Sequence, residues 1–211
     1  MKHIRLFSYK LSNDSGFAPN PFWGMLTLAA CKPKIRESKL PGDWIAGFTS
    51  GKLNSDPVGG ERLIYLMQVT DKILISEYWN NPAYEKKKPA PDAGLKNSVG
   101  DNIYKPIAEI PLSYDDFEQI PNRSHKEKNK IKDLSGRYVL VSKKFWYFGC
   151  KPLDIPSEIR PLVPPGQSSQ GYQTKDIERA AAFISYIESS FKKGIHNNPT
   201  GWKNHEPVCA K

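Results

Sequence analysis

The stretch PGDWIAGF, residues 41–48, and its sequel RLIYLMQV, residues 62–69, decide the fold. A Pro-Gly turn delivers Asp43 to the start of an apolar strand. A loop rich in glycine, asparagine, aspartate and proline follows over residues 49–60, and then a second apolar run begins. Two strand-length apolar runs separated by turn residues are natural antiparallel partners. Working outward, IRLFSY at residues 4–9 alternates apolar and polar like a half-buried strand, and NDSG at 13–16 ends it as a turn. RYVLVS at 137–142 is another strand, and KKFWYFG at 143–149 packs four aromatics together. ILISEYW at 73–79 starts as strand and turns helical. One amphipathic helix is expected from Thr174, a good N-cap with Asp176 and Glu178 in the first turn, to Gly194, where a left-handed cap is cheap. Along it Ile177, Ala180, Ala181, Ile184, Ile187, Glu188 and Phe191 recur at helical spacing, all but Glu188 apolar.

The 211 residues suffice to bury a core without disulfides or metals, and we expect one domain over residues 1–194 followed by a tail over 195–211. Eighteen prolines and fifteen glycines favour strands, turns and loops over helix. No apolar run reaches membrane-spanning length, and MKHIRLFSYK lacks the apolar core of a signal peptide, so the expected location is cytoplasmic with no membrane partner. Cys31, Cys150 and Cys209 are odd in number and form no CxxC pair, which speaks for reduced thiols. The net charge of +9 is concentrated in residues 123–151, where Arg123, Lys126, Lys128, Lys130, Lys132, Arg137, Lys143, Lys144 and Lys151 face only Glu127 and Asp133. Such a segment attracts polyanions, or else simply solvates the surface.

GFAPNPFWGMLTLAACKPKIR, residues 16–36, carries the most unusual mixture. Each proline pushes its predecessor out of the α region, so Ala18 to Pro21 is extended or turning and presents Asn20 at a corner. The apolar run Met25 to Cys31 fits either a buried strand or one buried helical turn. Lys32, Lys34 and Arg36 at its exit are candidate phosphate contacts.

His3, His125, His196 and His205 are isolated, so no metal site is written, and without GxGxxG, GxxxxGK[ST] or GxSxG no cofactor is expected. A thiol beside the Lys32 ammonium could be activated, but no histidine is placed to serve Cys31 as a base, and a buried thiol is the default reading. What remains is polar residues at turns, Asn20, Asp43, Asp101 and Asn102, with the aromatics Trp23, Trp44, Tyr104, Trp146 and Tyr147. Aromatic faces can stack on a base while Asn or Asp reads its edge. The same residues serve as well to bond their own turns and fill a core, which is the default for any one of them.

The strings SYK, DSGFAPNPFWGMLTLAACKPKIR, GDWIAGF, RLIYLMQVT, EYWNNP, KKKP, GDNIY and VLVSKKFWYFG, with the closing helix, resemble the nucleotide modification associated domain 2 family in order from about Ser8 to about Lys193. The family's gene neighbourhoods among DNA-base hypermodification systems imply a setting without assigning a reaction. The strand order around GDWIAGF and RLIY is also similar in pattern to PUA-like domains such as EVE and ASCH, which hold unusual bases beside a barrel. Together these imply an α+β domain built on a partly closed PUA-like β-barrel of mixed and antiparallel strands with flanking helices. The implied function is binding a modified base or nucleotide in DNA, in a base-modification or phage-defence system. Asn20, Cys31, Lys32, Asp43, Trp44, Asp101, Asn102 and Tyr104 match the family's strings as a possible shared site. Trp23 and Trp146 would extend the base-binding set, and Lys32, Lys34, Arg36, Lys126, Lys128, Lys130, Lys143 and Lys144 would meet phosphates. The loop over residues 164–173 departs from the basic or histidine character associated with that position, which sets aside a phosphate role for it. The alternatives are a nucleotide-directed enzyme using Asp43 or Asp101 as general base or Mg²⁺ ligand, and a module that only joins proteins. The oligomeric state is not written in these residues.

Overall fold

The computed structural model describes residues 4–122 and 124–202. His3, Arg123, His205 and Cys209, named above, lie outside them. Eleven strands run in chain order as β1 (Leu6–Lys10), β2 (Leu26–Leu28), β3 (Trp44–Phe48), β4 (Leu63–Gln68), β5 (Asp71–Leu74), β6 (Tyr104–Pro106), β7 (Phe117–Gln119), β8 (Tyr138–Ser142), β9 (Lys144–Tyr147), β10 (Tyr172–Thr174) and β11 (Gly194–Ile195). They form a six-stranded sheet in the order β10-β1-β3-β4-β9-β11, a three-stranded sheet β2-β8-β5 and the hairpin β6-β7.

The two runs read first as partners are β3 and β4, antiparallel with Ile45 opposite Met67. β1 lies parallel to β3 on the other side, so the sheet is mixed. The side chains of β3 alternate as a strand requires. Trp44, Ala46 and Phe48 face a core shared with the helix Ile177–Ser190, whereas Ile45 joins Tyr9, Met67, Tyr147 and residues of β2 and β8 in a second core. The three-stranded sheet therefore covers the face opposite the helix. β8 alternates in turn, with Leu140 in that second core while Val139 and Val141 join a third around Phe17, Phe22, Tyr78 and Trp202.

The mixed α/β character expected from the sequence is found, with β5 passing directly into the helix Ile75–Asn80. The described ladders end at β10 and β11 and do not close into a barrel. The run after Met25 is a strand, β2, not a helical turn. The C-terminal helix is shorter than expected at both ends. Thr174 belongs to β10, so Asp176 is the cap and accepts the Arg179 N–H at 2.9 Å. Its last residue is Ser190, and Gly194, at φ +114°, opens β11 instead of capping the helix. Beyond β11, Trp202 stacks on Phe22 at 5.3 Å between ring centroids, so residues 195–202 pack on the body. No described helix is long and apolar enough to cross a membrane.

Candidate functional site

β2 runs out through Ala29 and Ala30 into a reversal at Cys31 (φ 56°) and Lys32 (φ 41°), after which Pro33 opens the short helix Pro33–Ser38. Left-handed backbone at two non-glycine residues costs on the order of 1–3 kcal/mol each and persists only where the surroundings dictate it. Here Arg36 and Asp133 dictate it. The fully buried Arg36 guanidinium donates to the carbonyls of Cys31 (3.0 Å), Gly136 (2.5 Å), Tyr138 (2.6 Å) and Asp133. The Asp133 carboxylate accepts the Cys31 N–H at 2.9 Å on Oδ1. Gly136 permits the approach, since a Cβ there would stand 2.6 Å from the Pro33 carbonyl oxygen.

Asp133 Oδ2 takes two further partners, the Tyr104 hydroxyl at 2.8 Å and His125 Nε2 at 2.5 Å. The His125 ring stacks on Phe17, with centroids 4.9 Å apart. Cys31, His125 and Asp133 all line one cleft of about 1400 Å³, with Tyr9 and Phe17 as aromatic wall. Burial, helped by the Asp133 charge, pushes the Cys31 thiol up to about 11 against the opposing pull of Arg36, Lys132 and Lys32. Cys31 is a thiol at neutral pH. Cys150 is also free.

The far wall is the loop at residues 165–169, and lysines hold it. Lys10 Nζ donates to the Pro165 carbonyl at 2.9 Å while paired with buried Glu61 at 2.5 Å. Lys32 Nζ donates to the Ser168 carbonyl at 2.8 Å and the Gln167 side chain at 3.3 Å, above the Tyr9 ring at 5.0 Å. Lys34, Lys52 and Lys132 stand exposed on the cleft. Among the described residues none of Lys32, Lys34, Lys52 and Lys132 forms an ion pair, whereas the cleft's other carboxylate, Asp56, is paired with Arg62 at 2.9 Å. Burial, and to a lesser extent the nearby Lys132 charge, lowers the Lys32 pKa. The balance is an excess of positive charge around an aromatic-walled cavity.

The residues singled out from the sequence are dispersed. Lys32 and Lys34 line the cleft, and Tyr104 stands behind it on Asp133. Arg36 is spent on carbonyls. Asn20, Asp101 and Asn102 gather elsewhere in a sealed network. Asn20 Nδ2 donates to the Val99 carbonyl at 3.0 Å, and its Oδ1 accepts from buried Lys87 at 2.8 Å and from the Phe22 N–H at 3.3 Å. Lys87 Nζ also reaches the Asn20 and Met25 carbonyls. Asp101 accepts from Thr27 (2.6 Å) and Tyr78 (2.7 Å), and Asn102 donates to the Tyr78 carbonyl at 2.9 Å. Burial lowers the Lys87 pKa to about 7 and raises that of Asp101, which the Lys87 charge opposes.

Asp43 is a third location. It binds Arg5 through both oxygens, at 2.6 and 2.7 Å, and accepts the Leu40 N–H of its own turn. Trp44 and Trp146 stack in the core with centroids 6.2 Å apart. Trp23 is half-buried under Lys96, whose Nζ is 3.9 Å from a ring centroid. Lys126, Lys128 and Lys143 are exposed, Lys130 is half-buried, and Lys144 pairs with Glu188 at 2.5 Å.

His125 and Asp133 were missed because they are eight residues apart inside a lysine-rich segment and match no spacing rule. Only the fold brings them to Cys31, 94 and 102 positions away. Fold and cleft together define a mixed α/β domain with a cationic, aromatic-walled cavity built around a His-Asp pair. The chain belongs to the nucleotide modification associated domain 2 family, whose model matches residues 3–206. No curated protein and no solved structure matches it.

Proposed function

We propose that this protein binds a modified base or nucleotide of DNA, as part of a base-modification or phage-defence system, and that the ligand sits in the cleft beside Cys31 and His125. The observation that carries the reading is the set of four lysines without ion-pair partners around a cavity walled by Tyr9 and Phe17. Phosphate would satisfy the lysines and an unstacked base would lie against an aromatic face. The cavity exceeds the common size of small-ligand pockets, about 300–1,000 Å³, which suits a nucleotide with part of its strand. The family's link to nucleotide modification supports the same class of ligand. We read the mixed sheet as an open relative of the PUA-like barrel, on strand order alone, and the exposed lysines at 126, 128 and 143 as outlying contacts to a DNA backbone.

The test is calorimetric or thermal-shift titration with nucleotides and with duplex and single-stranded oligonucleotides, bearing common and modified bases, at several salt concentrations. The expected result is stabilisation that weakens as salt rises and is stronger for some modified base than for its parent. Equal response to every base, or binding insensitive to salt, would refute it.

A further inference from the structure

The hydrogen bonds of Asp133 fix the chemistry available to His125. Its carboxylate faces three donors, the Cys31 N–H, the Tyr104 O–H and the His125 ring, which is the environment of an ionised carboxylate acting only as acceptor. His125 must then offer N–H from Nε2, so in the neutral ring the lone pair belongs to Nδ1. Among the described residues the ring's hydrogen bond is made through Nε2 and none is made to Nδ1, and the ring lines the cleft. Phe17 holds the ring on one face. The charged and titratable groups around it are Asp133 and Tyr104 on the Nε2 side, and Cys31, Lys32 and Lys132 along the cleft. An imidazole oriented by a buried carboxylate, with its second nitrogen free, is the arrangement of a general base.

We infer that His125, oriented by Asp133, is a general base that activates water against a phosphate ester of a nucleotide held by Lys32 and Lys132. The inference rests on the nucleotide-binding reading of the cleft and adds a reaction to it. In the step, a water oxygen forms a bond to phosphorus while its proton passes to His125 Nδ1. The bond from phosphorus to the ester oxygen breaks, and the departing oxygen recovers the proton from Nδ1. Charge developing on the phosphoryl oxygens falls beside the lysines. His125 is the catalytic residue and Asp133 a positioning residue. Asp43 and Asp101, the carboxylates that the sequence offered for this chemistry, stand outside the cleft, bonded to Arg5 and to Thr27 and Tyr78.

The experiment uses the full chain with 2′-deoxynucleoside 5′-monophosphates and short oligonucleotides carrying common and modified bases, in ¹⁸O-labelled water. Binding is read separately by thermal shift. The expected result is ¹⁸O in the phosphate released from a monophosphate or in the new terminal phosphate of a cleaved oligonucleotide. The rate should fall about 100-fold or more in His125→Gln with the thermal shift retained. Nitrogen-resolved NMR of neutral His125 should show the proton on Nε2, a readout independent of turnover and of whether Asp133 variants fold. A ligand that binds but is never cleaved overturns this inference alone, as does a proton on Nδ1. If nothing binds, the binding reading falls and the inference falls with it.

Discussion

Two polar clusters lie at either end of one stretch of chain, and they have opposite fates. At Asn20 the polar groups of Lys87, Asp101, Thr27 and Tyr78 turn inward and bond one another. At Cys31, eleven residues on, Asp133 and Arg36 fix a strained turn on one side, and on the other a wide cleft is left with lysines to spare. A dense set of Asn, Asp and aromatic residues is as good a recipe for a satisfied polar core as for a binding pocket. What separates them is whether each donor already has an acceptor. The three N–H groups of Lys87 have three oxygens, whereas those of Lys34, Lys52 and Lys132 face the cleft and solvent.

The comparison breaks first on stability. Lys87→Ala and Asp101→Ala are each expected to cost roughly 3–5 kcal/mol, because each strands buried partners. Urea denaturation measures this, and losses below about 1 kcal/mol would mean that the network is not a structural core. The next effect is its pH dependence. Burial sets the folded Lys87 pKa at about 7 against 10.5 for the free group, so between these values the unfolded chain holds the extra proton. Stability is therefore expected to carry its full penalty below about pH 7 and to rise with pH across that window. Buried tyrosines such as Tyr65 and Tyr147, whose pKa values burial raises, act in the opposite direction at higher pH. The difference between wild type and Lys87→Met isolates the lysine, and a parallel pair of stability curves would contradict its assignment.

This contrast also shows what the sequence could and could not disclose. The β3-β4 pair, β8, β9 and the apolar face of the terminal helix were legible because burial writes periodicity into neighbouring residues. The ends of that helix were not. Thr174 is as good a cap as Asp176, and only pairing with Leu6 assigns it to a strand. Lys32 and Lys34 were legible as cleft residues from their place at the exit of an apolar run. His125 and Asp133 were not, because their meaning depends on a contact with Cys31 that no local pattern encodes. Lys87, hidden in the string KKKP, has neighbours of identical type, exposed Lys86 and half-buried Lys88, and nothing local marks it as the fully buried one.

At the cleft the expected effects are smaller and concern binding. Lys32→Gln and Lys132→Gln should each weaken nucleotide or oligonucleotide affinity several-fold and lower the slope of log affinity against log salt by about 1. Denaturation midpoints should stay close to wild type for Lys132→Gln, whose side chain is exposed. Unchanged salt slopes would separate the lysines from the ligand. Smallest of all should be Cys31→Ser, since the thiol stays protonated and its backbone N–H carries the bond to Asp133. Affinity is expected to change less than twofold, and complete loss of turnover in this variant would make the thiol a participant.

The central claim is that the open cluster, not the sealed one, meets the ligand. Chemical-shift mapping of the labelled protein with the tightest-binding nucleotide or oligonucleotide tests it most directly. Amide shifts concentrated at Cys31, Lys32, His125 and Ser168 are the expected result, whereas shifts concentrated at Asn20, Asp101 and Asn102 with the cleft silent would contradict the account.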